Sequence, residues 1–114
     1  MAANLRIAAA KGITAADIEA ALTALGLVEN LRTPVRDLSG GMKRRVAIAR
    51  ALLAEGSLLI MDEPFRGLDD ITRRAAAAYV RKSLDGRTLI AVTHDAEDAE
   101  LLGAVQVVRM RTLV

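Results

Sequence analysis

The chain has 114 residues, of which 53% are hydrophobic, 26% are charged and 2% are aromatic. This length allows one modest domain whose core is thin, because alanine supplies much of the apolar content. This composition does not support disorder, which needs low hydrophobicity and high net charge, and no apolar run approaches the roughly 20 residues that span a membrane. The net charge of +2 is too small to favour nucleic acid as a partner, and the absence of cysteine excludes disulfides and thiol chemistry.

The first third of the chain is rich in alanine and leucine, and two helices are predicted within residues 2–31. Thr14 and Asp17 have the spacing of a capping box at the start of the second helix. Gly26 is placed to end that helix. Polar residues and Pro34 predict a connector over residues 30–37. We therefore divide the chain at this connector into segments 1–37 and 38–114.

The remainder of the chain is predicted to alternate helices and strands. An apolar run is expected to form a strand buried on both faces, ending in the acidic pair Asp62-Glu63. Asp69 or Asp70 is expected to cap the following helix. The alternation is typical of an α/β fold with a parallel sheet. The predicted elements are a helix over 40–54, a strand over 58–61, a helix to 84, a strand over 88–92, a helix over 95–102 and a strand over 105–108.

The first candidate site is the segment Leu38-Ser39-Gly40-Gly41-Met42, which precedes the cations Lys43, Arg44 and Arg45. A hydroxyl, two glycines and a helix N-terminus can present N–H groups to an anion. Cations in the first turn oppose the helix dipole, a placement that makes most sense beside a bound anion. The same residues are also compatible with an ordinary Ser-capped helix with a solvated basic face.

The second candidate site lies where the predicted strands end. Asp62 and Glu63 follow one strand, and His94, the only histidine, follows the next. Neighbouring parallel strands would bring these side chains to one edge of the sheet, where ligands bind in open α/β sheets. One carboxylate can then hold Mg²⁺ while the other orients or deprotonates a water. The simpler alternatives are that Asp62 and Glu63 are ordinary carboxylates of a surface loop and that His94 has a structural role. Asp69, taken alone, is interpreted as a helix cap.

In this order, LSGGM, KRRVAIARAL, LLIMDEP, GLD and VTHD resemble the motifs of the ATP-binding-cassette (ABC) transport ATPases over most of the chain. The resemblance implies a partial P-loop NTPase fold of ABC type. Residues 1–37 would be the end of its helical subdomain. Residues 38–114 would be the signature helix and the C-terminal half of the ATPase core, with flanking helices around a partial parallel sheet.

The resemblance also implies a role for each motif residue. Ser39, Gly40, Gly41 and Met42 match the family signature, although the commonest residue at the position of Met42 is glutamine. Asp62 matches the Walker B aspartate that serves Mg²⁺, and Glu63 the glutamate that polarises the attacking water. Asp69 matches the D-loop aspartate, and His94 the switch histidine that contacts the γ-phosphate of ATP.

Two motifs of the family are missing from the 114 residues. They contain no G-x-x-x-x-G-K-[ST] segment, which is the phosphate-binding loop called Walker A. The glutamine loop of the family is missing as well. The resemblance therefore implies an ATP-binding subunit of a solute transporter, present as a fragment that is not expected to hydrolyse ATP by itself.

The expected partners also follow from the family. They are a second ABC ATPase subunit and membrane permease subunits, at the cytoplasmic face of the membrane, with no nucleic acid. The Walker A strand lies beside these strands in the family, so its absence would leave an apolar sheet edge that self-association can cover. The alternative function is a non-enzymatic module that docks on a complete ABC ATPase subunit and supplies or blocks half of its site.

Overall fold

The computed structural model describes residues 1–111 of the chain. Helices and two parallel strands alternate in its second half, as expected for a partial P-loop NTPase fold. The elements are α1 (Ala2–Ala8), α2 (Ala15–Ala24), α3 (Gly40–Leu53), β1 (Leu58–Asp62), α4 (Asp70–Ser83), β2 (Thr88–Val92) and α5 (Ala96–Leu101), with short 3₁₀ turns at Val28–Asn30 and Val35–Asp37.

The predicted capping box at the start of α2 is confirmed. The Thr14 hydroxyl accepts a hydrogen bond from the Asp17 backbone N–H at 3.2 Å, and Asp17 Oδ2 accepts one from the Thr14 backbone N–H at 2.7 Å. The hydrogen bonds that the Thr14 backbone N–H and hydroxyl donate to the Asp17 carboxylate hold the pKa of Asp17 below its usual value. Gly26 follows the helix with a φ of 70°, a conformation that glycine adopts without strain.

A single apolar cluster joins the two segments of the chain. Helix α3 packs against α1, α2 and α4. Leucines 5, 22 and 27 from the first segment and Val80 from α4 are fully buried in that cluster. Side chains on both sides of residue 37 therefore share one core, which supplies most of the driving force for folding. The assignment of residues 1–37 to a helical subdomain stays a prediction.

Strands β1 and β2 form a parallel pair in which Leu58 lies opposite Thr88 and Asp62 opposite Val92. The prediction that the first strand is buried on both faces is wrong. Leu59 and Met61 are buried in the apolar cluster, but Ile60 between them is 66% exposed, because only the face that carries Leu59 and Met61 is covered. We use "outer face" for the exposed apolar side chains of the sheet, which are Leu58, Ile60, Ile90 and Val92.

The predicted third strand over residues 105–108 is also not formed. Val105, Val107 and Val108 are all more than 60% exposed, and the segment makes no ladder hydrogen bonds within residues 1–111. A β-strand is stabilised by pairing with a neighbouring strand. The β-branched composition of residues 105–108 was therefore not sufficient to predict a strand there. No helix among residues 1–111 has both the length and the apolar character needed to cross a bilayer.

Candidate functional site

The site lies at the carboxyl ends of β1 and β2. Asp62 is the last residue of β1, and the Glu63 backbone N–H donates to the Val92 carbonyl at 2.7 Å. Glu63 then adopts a φ of 48°, which is uncommon for a residue with a side chain. The ladder bond and this turn together fix where the Glu63 carboxylate leaves the sheet edge.

Glu63 and His94 meet across this edge. Their Oε1 and Nδ1 atoms are 2.8 Å apart, and the Glu63 side chain is 23% exposed whereas the His94 side chain is 77% exposed. The hydrogen bond and the negative charge of Glu63 raise the pKa of His94. Because Nδ1 faces a carboxylate, that nitrogen carries the proton in the neutral ring as well, and Nε2 remains available to another group.

Asp62 immediately precedes Glu63 in the chain and is exposed at the end of the strand. Within residues 1–111 no cluster of three or more histidine or acidic side chains is arranged as a complete metal site. Mg²⁺ is usually held by one or two carboxylates together with waters and substrate phosphates. A single accessible carboxylate, one residue before the Glu63–His94 pair, therefore fits Mg²⁺ that is shared with substrate phosphates, and among the described residues it does not fit a metal held by protein ligands alone.

The signature segment forms the start of α3. Ser39 is the N-cap, and its hydroxyl accepts from the Met42 backbone N–H at 3.2 Å. The ordinary Ser-capped helix, which the sequence left open as the alternative, is therefore what the structure forms here. Ser39 and Gly40 are exposed, and the capped hydroxyl still has its proton to donate. A Cβ at Gly41 would meet the Leu68 side chain at 3.5 Å. The signature segment therefore lies against residues 67–69, which we call the GLD loop.

The cations that follow have a different role from the one predicted. Arg45 donates to the carbonyls of Leu25 and Gly41, at 2.8 and 3.3 Å. Arg44 donates to the Glu63 carbonyl at 2.5 Å. Two of the three cations thus satisfy backbone carbonyls of neighbouring segments, which explains their position in the first turns without an anion. Arg44 also ties the signature helix to the loop that carries Glu63.

Asp69 caps α4, as expected for one of the two candidate residues. It accepts from the Thr72 backbone N–H at 2.8 Å and from the Thr72 hydroxyl at 3.0 Å. These bonds keep the pKa of Asp69 below its usual value. The structure therefore places Asp69 in the GLD turn beside the signature, and its carboxylate contacts Thr72 and not the Glu63–His94 pair.

A cleft of about 280 Å³ lies beside the pair, and its walls include Glu63, His94, the GLD loop and Arg73. Arg73 was not among the predicted site residues. Its guanidinium contacts four carboxylates, of which Asp95 and Asp98 also line the cleft. The signal in the sequence was present but ambiguous, because an Arg-Arg pair in the first turns of an amphipathic helix is usually interpreted as part of its solvated face.

Comparison with known proteins identifies the family. The family described as "ABC transporter" matches residues 2–66, which is more than half of the chain. The chain belongs to the ABC transporter family. The taurine import ATP-binding protein TauB of Pelagibacter ubique is 44% identical over 92 residues, covering 79% of this chain and 35% of that protein. The glycine betaine uptake system ATP-binding protein YehX of Escherichia coli is 45% identical over 85 residues, covering 72% and 28%.

Other similar proteins are much longer chains. ATP-binding cassette sub-family A member 7 of the rat is 40% identical over 97 residues, which are 82% of this chain and 4% of that protein. Among solved structures, the complex of an archaeal ribosomal stalk protein with the ribosome recycling factor aABCE1 matches with a TM-score of 0.77 and 34% identity. That match covers 89% of this ABC chain and 19% of the other chain. The chain thus spans about a third or less of these relatives.

Proposed function

We propose that the chain is the C-terminal half of the nucleotide-binding domain of an ABC transporter, which couples ATP binding and hydrolysis to solute transport across a membrane. The observation that carries this proposal is the 2.8 Å contact between Glu63 and His94 at the sheet edge, one residue from Asp62. Two acids and a histidine at the carboxyl ends of neighbouring parallel strands have the chemistry of phosphoryl transfer to water.

Glu63 is the residue proposed to activate water. Its Oε1 is engaged with His94 Nδ1, which leaves Oε2 to accept a proton from the water that attacks the γ-phosphorus of ATP. As the new P–O bond forms, the bond from the γ-phosphorus to the bridging oxygen breaks and ADP leaves. A carboxylate within hydrogen-bond reach of the water is the geometric requirement for general-base catalysis.

His94 and Asp62 complete the proposed assignment. With Nδ1 on Glu63, His94 directs Nε2 outward as a donor toward a phosphate oxygen when the ring is protonated, and the raised pKa favours that state. Asp62 would hold Mg²⁺, directly or through water. When bound, Mg²⁺ supplies charge neutralisation at the phosphate oxygens.

The signature segment is proposed to act across a subunit interface. Ser39, Gly40 and Gly41 lie at the exposed start of a 14-residue helix, where hydroxyl and N–H donors suit a phosphate. In this arrangement they close on ATP that is held by the Walker A loop of a second ABC ATPase subunit, with Met42 and Asp69 beside the same interface. Membrane permease subunits are the further proposed partners, at the cytoplasmic face of the membrane.

The chain alone is proposed to be inactive. Phosphoryl transfer depends on positioning and electrostatic stabilisation of the phosphates, and the 114 residues contain no Walker A lysine or phosphate loop. The outer face and the exposed valines after α5 are further apolar surfaces of this half. We propose that they are covered by the other half of the domain or, in the isolated chain, by a second copy.

The test is a fusion of the chain to the Walker A half of TauB, a 44% identical relative. The fusion should hydrolyse ATP, and Glu63→Gln should retain bound ATP while turnover is largely lost. Glu55→Gln is the matched control, because the exposed Glu55 contacts only the backbone N–H of Lys11 among the described residues. Undiminished turnover by Glu63→Gln would remove the assignment. A folded fusion that binds ATP but never hydrolyses it would favour the non-enzymatic module.

A further inference from the structure

Arg73 connects the two loops of the site. It lies in the first turns of α4, with 15% of its side chain exposed. One terminal nitrogen contacts Asp70 at 3.0 Å and Glu97 at 2.9 Å. The other contacts Asp95 at 3.0 Å and Asp98 at 3.3 Å. A planar guanidinium can serve several carboxylates in fixed directions, which a lysine ammonium cannot do.

The contacts of Arg73 reach both residues that flank His94. Asp95 is bound directly. Thr93 is bound through Asp98, whose Oδ2 accepts from the Thr93 hydroxyl at 2.7 Å. The same hydroxyl accepts from the Asp95 backbone N–H at 3.1 Å, which closes the loop on itself.

Asp98 makes this arrangement dependent on Arg73. Its side chain is 6% exposed, and Arg73 is the only cation that it contacts within residues 1–111. A buried carboxylate without its cation is strongly unfavourable. Asp95 and Glu97 lie around the same guanidinium, so removal of its charge would also leave three acids of one short segment repelling one another.

His94 itself has no such support. Its side chain is 77% exposed, and its one side-chain hydrogen bond within residues 1–111 is the bond to Glu63. A ring on an exposed loop stays on its acceptor only if the backbone on both sides is held. The position of His94 against Glu63 is therefore set by the residues around it.

We propose that Arg73 is a positioning residue that holds the Thr93–Asp95 turn so that His94 Nδ1 stays on the Glu63 carboxylate. The proposal deepens the proposed function, because this pair is the one assigned to water activation. Asp70 adjoins Asp69, so the same guanidinium also fixes the start of α4 relative to the His94 loop.

The test uses the fact that His94 is the only histidine of the chain. Its two ring nitrogens can be followed without ambiguity by nitrogen-15 NMR of the full chain, at a pH where the ring is neutral and without nucleotide. The wild-type chain should show the proton on Nδ1. Glu63→Ala defines the signals of the ring that has lost its acceptor, in which the proton is free to move to Nε2.

Arg73→Gln should move the His94 signals most of the way to those of Glu63→Ala. Arg73→Lys should do the same, because one ammonium cannot span both branches of the network. Arg74→Gln is the matched control: Arg74 contacts Asp70 and Glu97 but neither Asp95 nor Asp98, and its variant should keep the wild-type signals. A folded Arg73→Gln chain with unchanged His94 signals would overturn the proposal, as would full recovery by Arg73→Lys or an equal displacement by Arg74→Gln.

Thr93→Val gives a second route if Arg73→Gln does not fold. It leaves Arg73 in place and removes only the hydroxyl between Asp98 and the Asp95 backbone. We expect a displacement in the same direction, and unchanged signals would again overturn the proposal. The readout needs no ATP, so it stands or fails separately from the ATPase assay of the fusion.

Discussion

The sheet has one covered and one open face, and neighbouring residues of β1 test this asymmetry. Leu59 points into the core and is 6% exposed, whereas Ile60 is 66% exposed. Leu59→Ala removes buried methyl groups and leaves a cavity, which costs about 2–5 kcal/mol of the free energy of unfolding. Ile60→Ala loses only about a third of the roughly 1.5–3 kcal/mol that full burial gives, or about 0.5–1 kcal/mol.

The assay is urea unfolding followed by far-ultraviolet circular dichroism at two protein concentrations. A domain of this size has about 5–15 kcal/mol of stability, so Leu59→Ala should lower the midpoint strongly and Ile60→Ala slightly. If the two variants lost equal free energy of unfolding at the lower concentration, the conclusion that only one face of the sheet is covered would be refuted. A loss for Ile60→Ala that grows with concentration would show that the outer face is buried between copies.

Further predictions concern the cap of α2, the His94 pair and the state of association. Thr14→Ala should cost about 1 kcal/mol in the same urea assay, and no measurable loss would contradict the capping box. An NMR titration should place the pKa of His94 above its ordinary value of 6.5 and return it toward that value in Glu63→Ala. The stability that the pair contributes is complete below pH 6.5 and is lost as the pH rises through the raised pKa, so the stability gap between wild type and Glu63→Ala should narrow with rising pH. Light scattering at micromolar concentration should give more than the 12.1 kDa of one chain, and a mass equal to one chain would count against self-association.

Local signals predicted most elements well. Thr14, Ser39 and Asp69 each cap a helix where the sequence indicates one, because capping depends on a few neighbouring residues. The two parallel strands also lie where the apolar runs indicate. The encounter of Glu63 with His94 follows from that pairing, since parallel neighbours end at the same edge.

Features that depend on distant partners were not predictable. Residues 58–61 are uniformly apolar, yet one face is open, because burial depends on what packs there and not on the run itself. Residues 105–108 have the β-branched composition of a strand, but they do not pair with a neighbouring strand within residues 1–111. Arg73 was not predicted as a site residue, because its carboxylate partners lie up to 25 positions away in the sequence. Only the fold shows that they surround one side chain.

Calorimetric titration of the purified chain with ATP and Mg²⁺, with its mass determined on the same sample, tests the central claim most directly. The claim is that this half of the ABC domain carries the water-activating pair and the signature but does not bind the phosphates by itself. It predicts no heat of binding at millimolar nucleotide. Binding in the micromolar range would contradict it, and the segment from Ser39 to Arg45 would then be the first place to mutate.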